Sequence, residues 1–152
     1  MLDTNGFREI VDSFGKDLFE VDEAIAGIKL TEDKWSLKEI VGHLIDSAAN
    51  NHQRFVRLQT EDLLGFPAYN GETWIKVQKY NGMEWGLLVS LWYNLNNLIL
   101  NIIENTDEDV YDNIWIRDEE AIRFEELVAD YYRHLKFHIE EHFNSRLKEV
   151  RG

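Results

Sequence analysis

Apolar residues recur at three- and four-residue intervals through four long segments of this 152-residue chain. That period suits helices with one buried face and does not suit pleated strands. The first stripe runs Phe7, Ile10, Val11, Phe14, Leu18, Val21, Ile25 and Ile28, and the second Leu37, Ile40, Val41, Leu44, Ala48, Phe55 and Leu58. The third is Trp85, Leu88, Val89, Trp92, Leu95, Ile99 and Ile102, and the fourth passes through Phe124, Leu127, Val128, Tyr131 and Leu135 toward Leu147. One proline and nine glycines leave few breaks between them. Four amphipathic helices bury their stripes by packing on one another, so the fold class expected is all-α, a four-helix bundle forming a single domain over residues 1–152.

The helix ends are partly legible. Ser36-Leu37-Lys38-Glu39 is a capping box, in which serine and glutamate satisfy each other's free backbone donors, with Trp35 and Ile40 placed as a hydrophobic staple. Asn81 and Glu84, flanked by Tyr80 and Trp85, repeat the device more weakly at the third helix. The start of the fourth stays open, because Ile114, Ile116, Ile122 and Phe124 around Asp118-Glu119-Glu120 also fit a small β-hairpin. A short link makes helices one and two antiparallel neighbours. The connection from about Leu64 to Asn81 is far longer than the median of roughly 4–6 residues. It can run back along a bundle of about 30 Å, which lets helices two and three lie parallel. Its Phe66, Pro67, Tyr69 and Trp74 are apolar enough to pack over one end of the bundle.

A net charge of −13 argues against nucleic acid, which is bound through clustered Lys and Arg. No uninterrupted apolar run approaches the roughly 20 residues that cross a bilayer, so no membrane partner is expected. Without cysteine there is no disulfide and no thiolate ligand. The polar, acidic start Met1-Leu2-Asp3-Thr4-Asn5 does not read as a secretory signal, and a cytoplasmic location is the expectation.

The five histidines carry the chemistry. His134 and His138 stand four residues apart, on one helix face and on the seam of Phe124, Leu127 and Tyr131. His43 lies on the shoulder of the second stripe and reaches a similar depth if the two helices are antiparallel. Three neutral imidazoles on one divalent ion leave positions open for water or substrate. The same residues also fit plain core or surface histidines, since a spacing supplies no geometry. His52, nine residues after His43, should point away. His138-Ile139-Glu140-Glu141-His142 matches the H-x-x-E-H pattern of inverted zinc proteases, but only ten residues follow it, too few for the further ligand that chemistry needs. His142 falls off the His134/His138 seam, on the row of Val128 and Leu135, from where it can approach the metal from outside or contact a substrate. Asp46, three residues after His43, is the candidate general base, against the alternative of a solvent-facing helix residue. Asp130, one turn before His134, is placed to orient that imidazole.

Trp35-Ser36-Leu37-Lys38-Glu39-Ile40-Val41-Gly42-His43-Leu44-Ile45-Asp46, followed far downstream by Asp130-Tyr131-Tyr132-Arg133-His134-Leu135-Lys136-Phe137-His138, resembles the DinB/YfiT-like family. Asn50-Asn51-His52-Gln53-Arg54-Phe55 resembles one bacterial subgroup, and the resemblance spans about residues 7–147. It implies an up-down-down-up four-helix bundle with a long crossover between helices two and three, often homodimeric. It also implies a divalent metal held at the positions of His43, His134 and His138. Imidazole suits zinc, nickel, iron and copper, with zinc or nickel expected here. Characterised relatives include thiol-dependent S-transferases and isomerases, and many others are assigned only as metal-dependent hydrolases. A small-molecule substrate, such as a low-molecular-weight thiol, is therefore expected. Fold does not fix reaction, so a non-catalytic metal-binding or dimerising bundle is the alternative.

Overall fold

A computed structural model describes all residues, 1–152. Helix α1 spans Asn5–Phe19 and buries Phe7, Val11, Phe14 and Leu18. Its stripe continues in sequence to Ile28, but the helix does not. After Glu20 the Asp22 side chain accepts from the Ala24 N–H at 2.9 Å and restarts a single turn, α2, over Glu23–Ala26. Helix α3 spans Leu37–Arg57 and begins at the expected capping box: Ser36 Oγ accepts from the Glu39 N–H, and Glu39 Oε1 from the Ser36 N–H. Replacing Ser36 by alanine should cost about 1–2 kcal/mol, read as a fall of roughly 2–8 °C in Tm.

The crossover holds a helix of its own, α4 over Gly71–Gln78, capped by Asn70. Helix α5 spans Trp85–Glu104. Asn81 does not cap it, contrary to the sequence reading. Its amide instead donates to the Gly27 carbonyl at 3.0 Å and its oxygen accepts from Ser36 Oγ at 2.6 Å, so Asn81 ties three segments together. Strands β1 (Ile114–Arg117) and β2 (Glu120–Arg123) form an antiparallel hairpin, settling the choice left open at the start of the fourth helix. Asp118 and Glu119 at its tip both have positive φ, 49° and 71°, as a two-residue primed turn requires. Leu63 of the crossover bridges to β1 through Leu63 N–H to Ile114 O and Ile116 N–H to Leu63 O, at 2.8 and 2.9 Å.

The last bundle helix runs as α6 (Phe124–Phe137), a π-helical stretch over His138–Phe143, and α7 (Asn144–Arg151). Side-chain contacts fix the path of the chain. Lys38 Nζ donates to Met83 O and Gln59 Nε2 to Thr106 Oγ1, so α3 and α5 run parallel. Trp85 Nε1 donates to Leu18 O while Arg8 pairs with Glu104, so α1 and α5 are antiparallel. Phe55 packs on Phe124 and Tyr131 near one end of α3, and Trp35 O accepts from Arg146 near the other, which makes the last helix antiparallel to α3. The result is an up-down-down-up four-helix bundle. In its centre the Phe14 ring meets Trp92 and Phe143 edge-on, at 5.2 and 4.9 Å.

Helix α5 carries no charge before Glu104, and by length and composition it is apolar enough to cross a membrane. Counting only uninterrupted apolar runs overlooks it, because Ser90 and the uncharged Asn94, Asn96 and Asn97 interrupt the run without making the helix polar. Here Trp85, Leu88, Val89, Trp92, Ile99 and Ile103 pack into the bundle core.

Candidate metal centre

His43 sits two turns into α3 and is half-buried. Gly71 opens α4 against it: a Cβ there would lie 3.2 Å from His43 Cε1 and 3.4 Å from Nδ1, so the absence of a side chain admits this close approach. The His43 ring is 4.8 Å from that of His138, edge to face, and 5.1 Å from Trp35. His43 Nδ1 is buried and has no hydrogen-bond partner. An orphaned buried ring nitrogen is costly unless something occupies its lone pair or its proton.

His138 is the first residue of the π stretch. Four residues of an α-helix overshoot a full turn by about 40°, whereas the wider π turn holds more residues and four fall short of it. His142, four residues on, meets His138: the rings are 4.8 Å apart and the two Nδ1 atoms 2.8 Å apart. One of those nitrogens carries a proton, because two lone pairs do not approach so closely. Were an ion bound, that proton would have to leave before both imidazoles could serve as its ligands.

Burial lowers the pKa of His43, helped by nearby His142. Burial, and then the charges of His43, His142 and His134, lower His138 to about 4. Both rings are therefore neutral at pH 7, the form that donates to a metal. The donor types, the orphaned nitrogen and the neutral rings suit a divalent cation, although no three His, Asp or Glu side chains converge in this structure closely enough to hold one. His43, His138 and His142 open on one cleft of about 440 Å³, with Glu72 of α4 and Glu141 on its walls.

The other residues singled out by sequence lie elsewhere. His134 is exposed, one turn before His138, and lines a neighbouring cavity together with Asp130. Asp130 accepts from Arg133 at 2.8 Å and makes no bond to an imidazole, so nothing here has it orienting His134. Asp46 does not line the cleft and is not solvent-facing either. It is 2% exposed, and its Oδ1 accepts from Tyr80 Oη at 2.5 Å and Gln78 Nε2 at 2.8 Å while Oδ2 has no partner. Burial raises its pKa against the opposing effect of those bonds. His52 is half-buried and apart from the cleft. Sequence reasoning put His142 off the seam and left open an approach to the metal from outside or a contact with substrate; its four-residue spacing from His138 was the signal. It passed over Glu72, which nothing in the crossover's composition marked.

No family model matches this sequence, and no curated protein matches it. Among solved structures the chain is similar to YfiT from Bacillus subtilis, described as a probable metal-dependent hydrolase with an unusual four-helix bundle topology. The two share 19% identity over 93% of this chain and 80% of that one, with a TM-score of 0.76. The chain thus has the YfiT-like four-helix-bundle fold that its two histidine motifs led one to expect.

Proposed function

We propose that this protein is a divalent-metal-dependent enzyme acting on a small molecule, by hydrolysis or by transfer to a thiol. The observation that carries this is the approach of His43 and His138, from two separate helices, as neutral imidazoles on an open cleft. The metal dependence ascribed to YfiT, on the same fold, supports it. When bound, such an ion supplies Lewis acidity to a substrate oxygen or sulfur.

His43 and His138 provide two donors. We assign the third to His134: it stands one turn from His138, its side chain is exposed, and its position matches the family motif. The direct His138–His142 contact favours a second arrangement, with His142 as third donor and His134 facing substrate. Trp35 packs on the His43 ring and holds its orientation. Glu72 and Glu141 add negative charge to the cleft and raise its attraction for a cation.

A site closed by four protein ligands would be structural, whereas three leave room for substrate. The test is activity of the metal-loaded protein against thiol–electrophile pairs and against a panel of esters and amides. Turnover only when a thiol is supplied selects S-transfer, and turnover of esters or amides alone selects hydrolysis. Stoichiometric metal uptake with no turnover on any of them would favour the non-catalytic alternative.

A further inference from the structure

A second cavity, of about 200 Å³, opens beside the histidine cleft, and Arg54 of α3 lies in its wall. Arginine in the interior normally meets a carboxylate. Arg54 is 5% exposed yet belongs to none of the chain's ion pairs. Its Nε has no partner, and its Nη1 reaches only Asn51 Oδ1, at a long 3.4 Å. Asp130 is on the rim but already accepts from Arg133.

What holds the guanidinium is aromatic. Its Cζ lies 4.0 Å over the ring of Trp115, which is 2% exposed and fixed by donation from Nε1 to Phe66 O at 2.8 Å. The planar fork therefore stays in place with donors unspent, and Arg117, Ser47 and Tyr69 line the same space. Burial lowers the Arg54 pKa to about 10, against an opposing effect of Tyr69 and with a smaller one of Arg117 in the same direction; the lining carries two arginines and one carboxylate, Asp130, in a protein of net charge −13.

We infer that this cavity is a receptor for a small oxyanion, a carboxylate or phosphate group, bound by the free face of Arg54 over Trp115. A forked guanidinium matches the two oxygens of such a group. His134 lines the cavity as well, so an anionic group held there would sit at the edge of the histidine site. The inference does not rest on the metal assignment, because anion binding needs no ion in the cleft.

The test compares Tm of the full chain, with EDTA present, in inorganic phosphate, in sodium acetate and in sodium chloride at matched ionic strength. The wild type should gain about 3–6 °C at ten times the Kd of the effective anion, relative to chloride. Arg54→Met should show no such gain while melting in chloride at or above the wild type, because an uncompensated buried charge has been removed. A purely structural arginine would instead give a lower-melting variant and no anion effect in the wild type. Response to phosphate alone assigns a phosphate group, and response to acetate a carboxylate. Equal gains in wild type and Arg54→Met overturn the inference. If that variant does not fold, the Arg54 Nε–H resonance of the wild type decides. It should shift on titration with phosphate or acetate and not with chloride, and a signal unmoved by all three rejects the site. Because EDTA is present throughout, failure here leaves the metal site standing, and failure of metal binding leaves this one.

Discussion

Alanine in place of His138 should abolish stoichiometric binding of zinc or nickel. The loss should exceed the roughly 10–100-fold that removal of an outer-shell partner costs. His138 is common to both candidate ligand sets, since it meets His43 on α3, touches His142 and follows His134 by one turn. Because its side chain is only half-buried, the change should leave Tm nearly unaltered, so loss of metal would not reflect loss of fold. Elemental analysis and competition titration give the answer: about one ion per chain for the wild type and none for the variant. His43→Ala should behave alike. His134→Ala should lose the ion and His142→Ala keep it; the reverse pattern hands the third position to His142. A His138→Ala protein that still carries one tightly held ion would end the histidine-site assignment.

The bundle was readable because its signals are local or periodic. Phe7, Val11, Phe14 and Leu18 recur at helical spacing, and Ser36 and Glu39 form a cap that depends on four consecutive residues. What escaped depends on distant partners. Asn81 has the chemistry of a helix cap, but Ser36 and Gly27 take its hydrogen bonds from elsewhere in the chain. The α1 stripe continues past the point where Asp22 breaks the helix, since periodicity counts faces and not ends. At the site, spacing put His43 at the depth of His134 and His138 if their helices run antiparallel; the rings of His43 and His138 stand 4.8 Å apart, while His134 lines a neighbouring cavity. The π winding over His138–Phe143 was invisible to a method that assumes 3.6 residues per turn. Arg54 reads as one more charge near the end of a helix, because nothing in the sequence says that Trp115, some sixty residues on, will cover it.

Gly42→Ala should be among the most destabilising single substitutions in the chain, although alanine is the better helix former. Gly42 is buried in α3 directly under the Tyr80 ring, and an added methyl would lie 2.5 Å from Tyr80 Cγ and 2.6 Å from Cε2. Neither can yield easily: the methyl is fixed to the helix backbone, and Tyr80 is 4% exposed and anchored by its hydroxyl on Asp46. Overpacking of this kind costs about 1–3 kcal/mol. Displacing the ring also removes the hydrogen bond to Asp46, a buried carboxyl group with only Gln78 as remaining donor, at a further cost of about 1.5–3 kcal/mol. The gain in helix propensity returns only about 1 kcal/mol. The net loss, about 1.5–5 kcal/mol, corresponds to a fall of roughly 3–20 °C in Tm. Tyr80→Phe separates the two contributions, because it deletes the hydroxyl and keeps the ring, and should lose only the hydrogen-bond share. If Gly42→Ala melts with the wild type, the packing of the crossover onto α3 is not what holds Tyr80 and Asp46 together. Gly42 also precedes His43, so a displaced Tyr80 shifts the turn that presents the imidazole, and metal affinity measured on the folded fraction should fall with stability. Tyr80→Phe, which leaves that turn in place, should retain the affinity.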